Sequence, residues 1–188
     1  MTYSFQYYSY WEIVEHRSSR AEILMKELCK ISPDLNRMRN HLYYTRSIVS
    51  TLDLMTRTRF RLHGMYALYE NNTLVSVATI GLNKIDRVIT MPRFRHKGHA
   101  TYLIKHITKK MMDAGIQHVF CPVEPSVEPL FEKMGWVKIG RTAPDGTHDF
   151  VPASCENLYT LVSRYDYGSW LIYLASILRR TGSPTIRL

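Results

Sequence analysis

The chain has 188 residues, 45% of them hydrophobic and 22% charged, a globular balance that excludes disordered and collagen-like proteins. Its formal net charge is +9, and residues 84–110 alone carry +7 of it, with eight Lys and Arg facing only Asp86. A basic chain suits nucleic acid or a membrane surface, whereas charge gathered in one segment points to a local site for a phosphorylated ligand.

Residues 2–14 are rich in aromatic residues and read as a first strand. Residues 17–31 carry Ile23, Leu24, Leu28 and Ile31 at helical spacing. Ser32-Pro33-Asp34 reads as a new helix start, followed by a stripe at Leu35, Met38, Leu42, Thr45, Val49 and Leu52. At Gly64 the period changes. Residues 65–70 and 73–82 form a hairpin about Asn71-Asn72, two residues that tolerate positive φ. Residues 84–91 make a further strand ending at Pro92. Residues 99–114 make a helix stopped by Gly115, and 117–124 a strand. A short helix runs from Ser126 to Met134, with Gly135 closing it. Residues 136–141 and 157–163 are the closing strands.

The tail from Arg164 places Trp170, Leu171, Leu174, Ile177 and Leu178 on one helical face. That face packs on its own domain or forms a homodimer contact. No linker or repeat divides the chain, so it reads as one domain. It comprises an N-terminal part of one strand plus helices (1–63), a core (64–163) and a helical extension (164–188). The start of the chain lacks the pattern of a secretory leader. The longest apolar run, at residues 170–178, falls short of the about 20 residues that span a bilayer. Cys29, Cys121 and Cys155 are far apart, with no CxxC pair, which argues against a disulfide framework or a zinc site. Together these features predict a soluble, cytoplasmic protein without a metal. Cys121 reads as a core residue, and the cluster Tyr7, Tyr8, Tyr10 and Trp11 as strand packing.

The informative stretch is Arg93-Phe94-Arg95-His96-Lys97-Gly98-His99-Ala100, set between a strand and a helix. Such a turn presents several main-chain N–H groups to one point, where the helix dipole adds positive potential. Gly98 permits close approach of an anion, Ala100 keeps the surface small, and Arg95 and Lys97 add formal charge. These features describe a pyrophosphate cradle.

With Thr90-Met91-Pro92 before this loop and Phe131-Glu132-Lys133-Met134-Gly135-Trp136 after the next strand, the chain resembles the GNAT superfamily of N-acetyltransferases. The resemblance covers about residues 64–163. It implies an α/β (α+β) fold with a mixed, mostly antiparallel central sheet flanked by helices, here with an extra C-terminal helix. It implies acetyl-CoA as cofactor, its phosphates surrounded by Arg95, His96, Lys97, Gly98, His99, Ala100 and Thr101. Main-chain groups of Ile89, Thr90 and Met91 would pair with the pantetheine arm, one amide polarising the thioester carbonyl. The implied chemistry is direct attack of an amine on the thioester, without an acyl-enzyme or a metal.

Two positions depart from the superfamily pattern. Phe131 stands where a tyrosine commonly protonates the departing thiolate, and Glu124 where an asparagine contacts the cofactor. A thiol of pKa near 8.5 leaves tolerably at neutral pH, so losing the acid slows the reaction without abolishing it. Deprotonating a lysine of pKa about 10.4 costs roughly 4–5 kcal/mol at pH 7, against about 1 kcal/mol for an α-amine. The candidate bases are Asp86, which otherwise pairs with Lys84 or Arg87, and Glu124, which otherwise faces solvent. The acceptor is then a protein amine or the α-amine of an aminoacyl-tRNA. The alternative is a GNAT-fold module that binds CoA, protein or nucleic acid with little or no catalysis.

Overall fold

The computed structural model describes residues 2–9, 12–13, 19–31, 63–81, 84–114, 116, 119–139, 142 and 146–155. Seven strands occur among them. Strands β1 (Tyr3–Ser9), β2 (His63–Glu70), β3 (Thr73–Gly81) and β4 (Lys84–Thr90) form an antiparallel sheet in that order. Strands β5 (Cys121–Val123), β6 (Trp136–Ile139) and β7 (His148–Pro152) form a second, in the order β5-β7-β6. Helix α1 is Ser19–Ile31, α2 is His99–Asp113 and α3 is Glu128–Lys133. The mixed, mostly antiparallel architecture matches the fold expected from sequence.

The first sheet is packed on both faces. Ala21, Leu24, Met25 and Leu28 of α1 cover Met65, Ala67 and Val77 on one face. Leu103, Ile104, Ile107 and Met111 of α2 cover Leu68, Val75, Ala78 and Ile80 on the other. This second core continues into the smaller sheet through Cys121, Val123, Phe131, Trp136 and Phe150, so one apolar layer holds both sheets. On α1 the buried stripe differs from the expected one, because Ile23 is 60% exposed. Leu24 and Leu28 are completed by Ala21 and Met25, at the three-and-four spacing of a single helical face. Tyr8 and Cys121 are buried and serve the core.

The β2–β3 turn uses Asn71 and Asn72 at φ 47° and 64°, as a tight hairpin requires. The first strand ends earlier than residues 2–14 suggest. Ser9 accepts from the amide of Glu12, while the Glu12 carboxylate accepts from the Ser9 amide and hydroxyl, a reciprocal cap that turns the chain out of the sheet. Of the strand expected at 117–124, the described residues form Cys121–Val123, with an isolated bridge at Phe120. The partner of β6 is His148–Pro152, a segment the sequence did not single out. The expected strand at 157–163, the helix from Ser32 and the C-terminal helix of 164–188 lie outside the described residues.

Candidate active site

After β4 the chain turns through a short 3-10 helix, Pro92–Phe94, closed by the amides of Phe94 and Arg95 on the carbonyls of Met91 and Pro92. His96 and Gly98 then take positive φ, 62° and 82°, and α2 begins. Its N-terminus has Gly98 at the cap position, no side-chain cap and no acidic residue in the first turn. Helices usually satisfy this end with Ser, Thr, Asp or Asn. Here the first intrahelical bond runs from Tyr102 N to Gly98 O at 3.0 Å, so the amides of His99, Ala100 and Thr101 precede the ladder. A Cβ placed on Gly98 meets nothing within 4 Å, so the space above the turn is open. Arg95, His96 and Lys97 are exposed around it. An anion with several oxygens meets amides, dipole and cations at one point.

Phe94 braces the loop. Its ring lies 4.9 Å from the Arg93 guanidinium carbon and 5.4 Å from Lys97 Nζ, and meets the His99 ring edge-on at 5.9 Å. His99 in turn meets Tyr3 edge-on at 5.9 Å and is only 3% exposed, its Nε2 without a partner among the described residues. His99 therefore offers the site its main-chain amide, not its imidazole. His96 is exposed, so the two histidines do not share a face.

The edge of β4 is the second part of the site. Between the pairs Ala78↔Val88 and Ile80↔Ile85, β3 advances two residues while β4 advances three, so β4 carries a bulge. Before the bulge, Ile85 N donates to Phe120 O of the neighbouring strand at 2.9 Å. After it, Arg87 N donates to Thr79 Oγ1 and Met91 N to Val75 O, both toward β3. Alternation along the strand turns Ile89 the same way, and its carbonyl accepts from Ser76 Oγ. Val88 and Thr90 consequently face away from β3, along an edge where the two sheets have parted. Of the three residues expected from sequence, Thr90 faces this edge, and Val88 joins it. The bulge depends on the partner strand, so no local pattern announces it.

Glu124 is exposed at the end of β5. Asp86 lies on the bulge, with its side chain outside the described residues. Phe131 is 3% exposed and packs edge-on against Trp136 at 5.3 Å and beside Phe150 at 5.7 Å. A polar chain with no sequence signature starts from the same short helix, at Glu128. His148 Nδ1 lies 2.5 Å from Glu128 Oε1, His148 Nε2 lies 2.7 Å from Thr142 Oγ1, and Lys138 Nζ donates to both Glu128 oxygens. Burial pushes the Glu128 carboxyl up, but hydrogen bonds and charge from Lys138 and His148 outweigh it and hold the group below its usual range.

An uncapped helix start beside a parted strand edge is an arrangement suited to a phosphorylated ligand with an extended arm. The acetyltransferase (GNAT) domain family matches residues 48–156, more than half of the chain, and the chain belongs to that family. Acetyl-CoA is the cosubstrate of the family, and the open Gly98 turn with its unladdered amides fits the diphosphate of such a ligand. A relative from Bacillus subtilis (strain 168), the uncharacterized N-acetyltransferase YitI, is 26% identical over 84 residues, covering 39% of this chain and 56% of that protein. The chain thus spans little more than half the length of that relative. Among solved structures, a protein from Desulfovibrio desulfuricans designated a GNAT-family acetyltransferase superposes with a TM-score of 0.55 at 10% identity. It covers 79% of this chain and 96% of its own. A protein from Lactobacillus plantarum designated an N-acetyltransferase gives 0.52 at 12% identity, covering 80% and 97%. At these identities the likeness is one of fold.

Proposed function

We propose that the protein is a cytoplasmic acyltransferase that moves the acetyl group of acetyl-CoA to a primary amine. The observation that carries this reading is the uncapped start of α2, with Gly98 in the left-handed region and open space above it. The amides of Gly98, His99, Ala100 and Thr101 hold the diphosphate, with Arg95, His96 and Lys97 supplying charge around it. The outward main-chain groups of Val88 and Thr90 pair with the pantetheine arm as an added strand would. An outward amide on this edge polarises the thioester carbonyl. The amine nitrogen bonds to the carbonyl carbon as the carbon–sulfur bond breaks, the nitrogen gives up one proton to water, and CoA leaves as the thiolate. Phe131 has no proton to give, so the thiolate takes its proton from water.

The acceptor is a protein amine or the α-amine of an aminoacyl-tRNA. The excess of positive charge supports an RNA-borne acceptor, and the two classes separate by salt. The test is release of CoA thiol with acetyl-CoA and each acceptor in turn, at rising ionic strength. A steep loss of rate with salt identifies the RNA class, and salt-insensitive turnover the other.

Phe131 in the core and Glu124 in solvent favour a second reading, a CoA-binding module with little catalysis. Thermal stabilisation by CoA without transfer to any amine supports that reading over the first.

A further inference from the structure

We propose that Glu128, His148 and Thr142 form a proton relay for the acceptor amine, an inference that rests on the acetyl-transfer reading above. The three groups form an unbroken chain of short contacts, 2.5 Å from Glu128 Oε1 to His148 Nδ1 and 2.7 Å from His148 Nε2 to Thr142 Oγ1. An ionised carboxylate only accepts hydrogen bonds, so Nδ1 carries the proton. Nε2 is then left as an acceptor for the Thr142 hydroxyl. Thr142, in turn, keeps oxygen lone pairs for an incoming N–H.

Charge balance does not require the histidine. Glu128 already has a cation in Lys138, which contacts both carboxylate oxygens at 3.1 and 3.2 Å. His148 is thus an added titratable group between a compensated carboxylate and a surface hydroxyl. The side chains of His148 and Glu128 are 15% and 16% exposed, while Thr142 is open to solvent. Protons have a path from the surface inward. Among the described residues, the charged groups about the imidazole are Glu128 from α3, which Lys138 of β6 also contacts, with Glu124 one residue past its neighbour on β5.

Placement connects this chain to the reaction. His148 pairs with Val123, the last residue of β5, at the end of that strand away from its bridge to β4. Glu124 follows Val123 directly, and Glu128 begins α3 four residues on. The relay therefore stands one strand from the parting of the sheets. As the amine nitrogen bonds to the thioester carbon and the carbon–sulfur bond breaks, the nitrogen must lose a proton. That proton passes to Thr142 Oγ1 while the hydroxyl proton passes to His148 Nε2. The resulting imidazolium, held by Glu128, returns its proton through solvent to the CoA thiolate.

The experiment measures kcat/KM against pH with acetyl-CoA and an N-terminally blocked peptide carrying one lysine, for the wild type, H148Q, T142V and T142S. Acetyl-CoA affinity is measured by calorimetry on each, and the His148 tautomer by nitrogen NMR on the wild type. H148Q is expected to lower kcat at pH 7 by about a hundredfold, with acetyl-CoA affinity unchanged and the deficit shrinking as pH rises. T142V should act in the same direction and T142S should restore the rate. Because Thr142 is exposed, the T142V arm remains decisive if H148Q folds poorly. Transfer that ignores both H148Q and T142V, or an imidazole protonated on Nε2 alone, overturns the relay and leaves the acetyl-transfer reading standing. A wild type that binds acetyl-CoA and acetylates neither this peptide nor an aminoacyl-tRNA overturns both.

Discussion

The Nε of Arg95 lies 3.4 Å from the carbonyl oxygen of Thr90, joining the phosphate-gripping turn to the parted edge of β4. One side chain therefore bridges the two halves of the cofactor site. R95A should weaken acetyl-CoA binding about tenfold or more, the range of one charge-assisted hydrogen bond. R95K keeps the charge but loses the planar fork, and should recover only part of the affinity. Calorimetry on the three proteins checks this.

Gly98 is required for its backbone, since φ is 82° and an added Cβ has free space. G98V should cost about 1–2 kcal/mol of stability from left-handed strain. It should cost more in CoA affinity, because the side chain fills the space the diphosphate needs. A melting curve and a binding isotherm separate the two effects.

Phe94 stands between Arg93 and Lys97, and its removal frees both cations. Each such contact contributes roughly 0.5–1 kcal/mol at an exposed site. F94A should therefore weaken CoA severalfold, and F94W should retain binding. An F94A protein that folds and binds like wild type would dismiss the bracing role.

His106 stacks on Phe5 with ring centroids 3.5 Å apart and planes within 5°. Burial, and secondarily the charge of Lys110, pushes its pKa below the ordinary 6.5. The folded state thus holds this imidazole neutral, while the unfolded chain binds a proton from about pH 6.5 downward. Stability should fall as pH drops below that point and level off below the folded pKa. H106F keeps the stack and removes the titration, so its melting temperature should change less between pH 7 and 5.

Gly64 tolerates no side chain for a different reason. A Cβ there would stand 2.3 Å from the carbonyl oxygen of Tyr8 across the β1–β2 pair. G64A should lower stability by about 1–3 kcal/mol, as overpacking does, without altering CoA affinity in the protein that remains folded.

Much of this architecture is local in origin and was legible in the residues. Asn71-Asn72, the helix of residues 99–114 and the Arg95-to-Ala100 turn each report their own conformation through local pattern or tolerance of positive φ. What escaped depends on partners distant in sequence. The bulge that turns Val88 outward exists only against β3. The strand His148–Pro152 is short, with polar residues at one end and proline at the other, so its pattern is faint. The burial of the His99 ring follows from Tyr3 and Phe94 closing over it. The Glu128–His148–Thr142 chain arises from three segments that meet only after the second sheet forms.

The most direct measurement is a crystal structure with CoA bound. The account predicts diphosphate oxygens about 2.7–3.2 Å from main-chain nitrogens at residues 98–101, and the pantetheine arm paired with Val88 and Thr90. A diphosphate held elsewhere on the protein, with the Gly98 turn left to solvent, would contradict it.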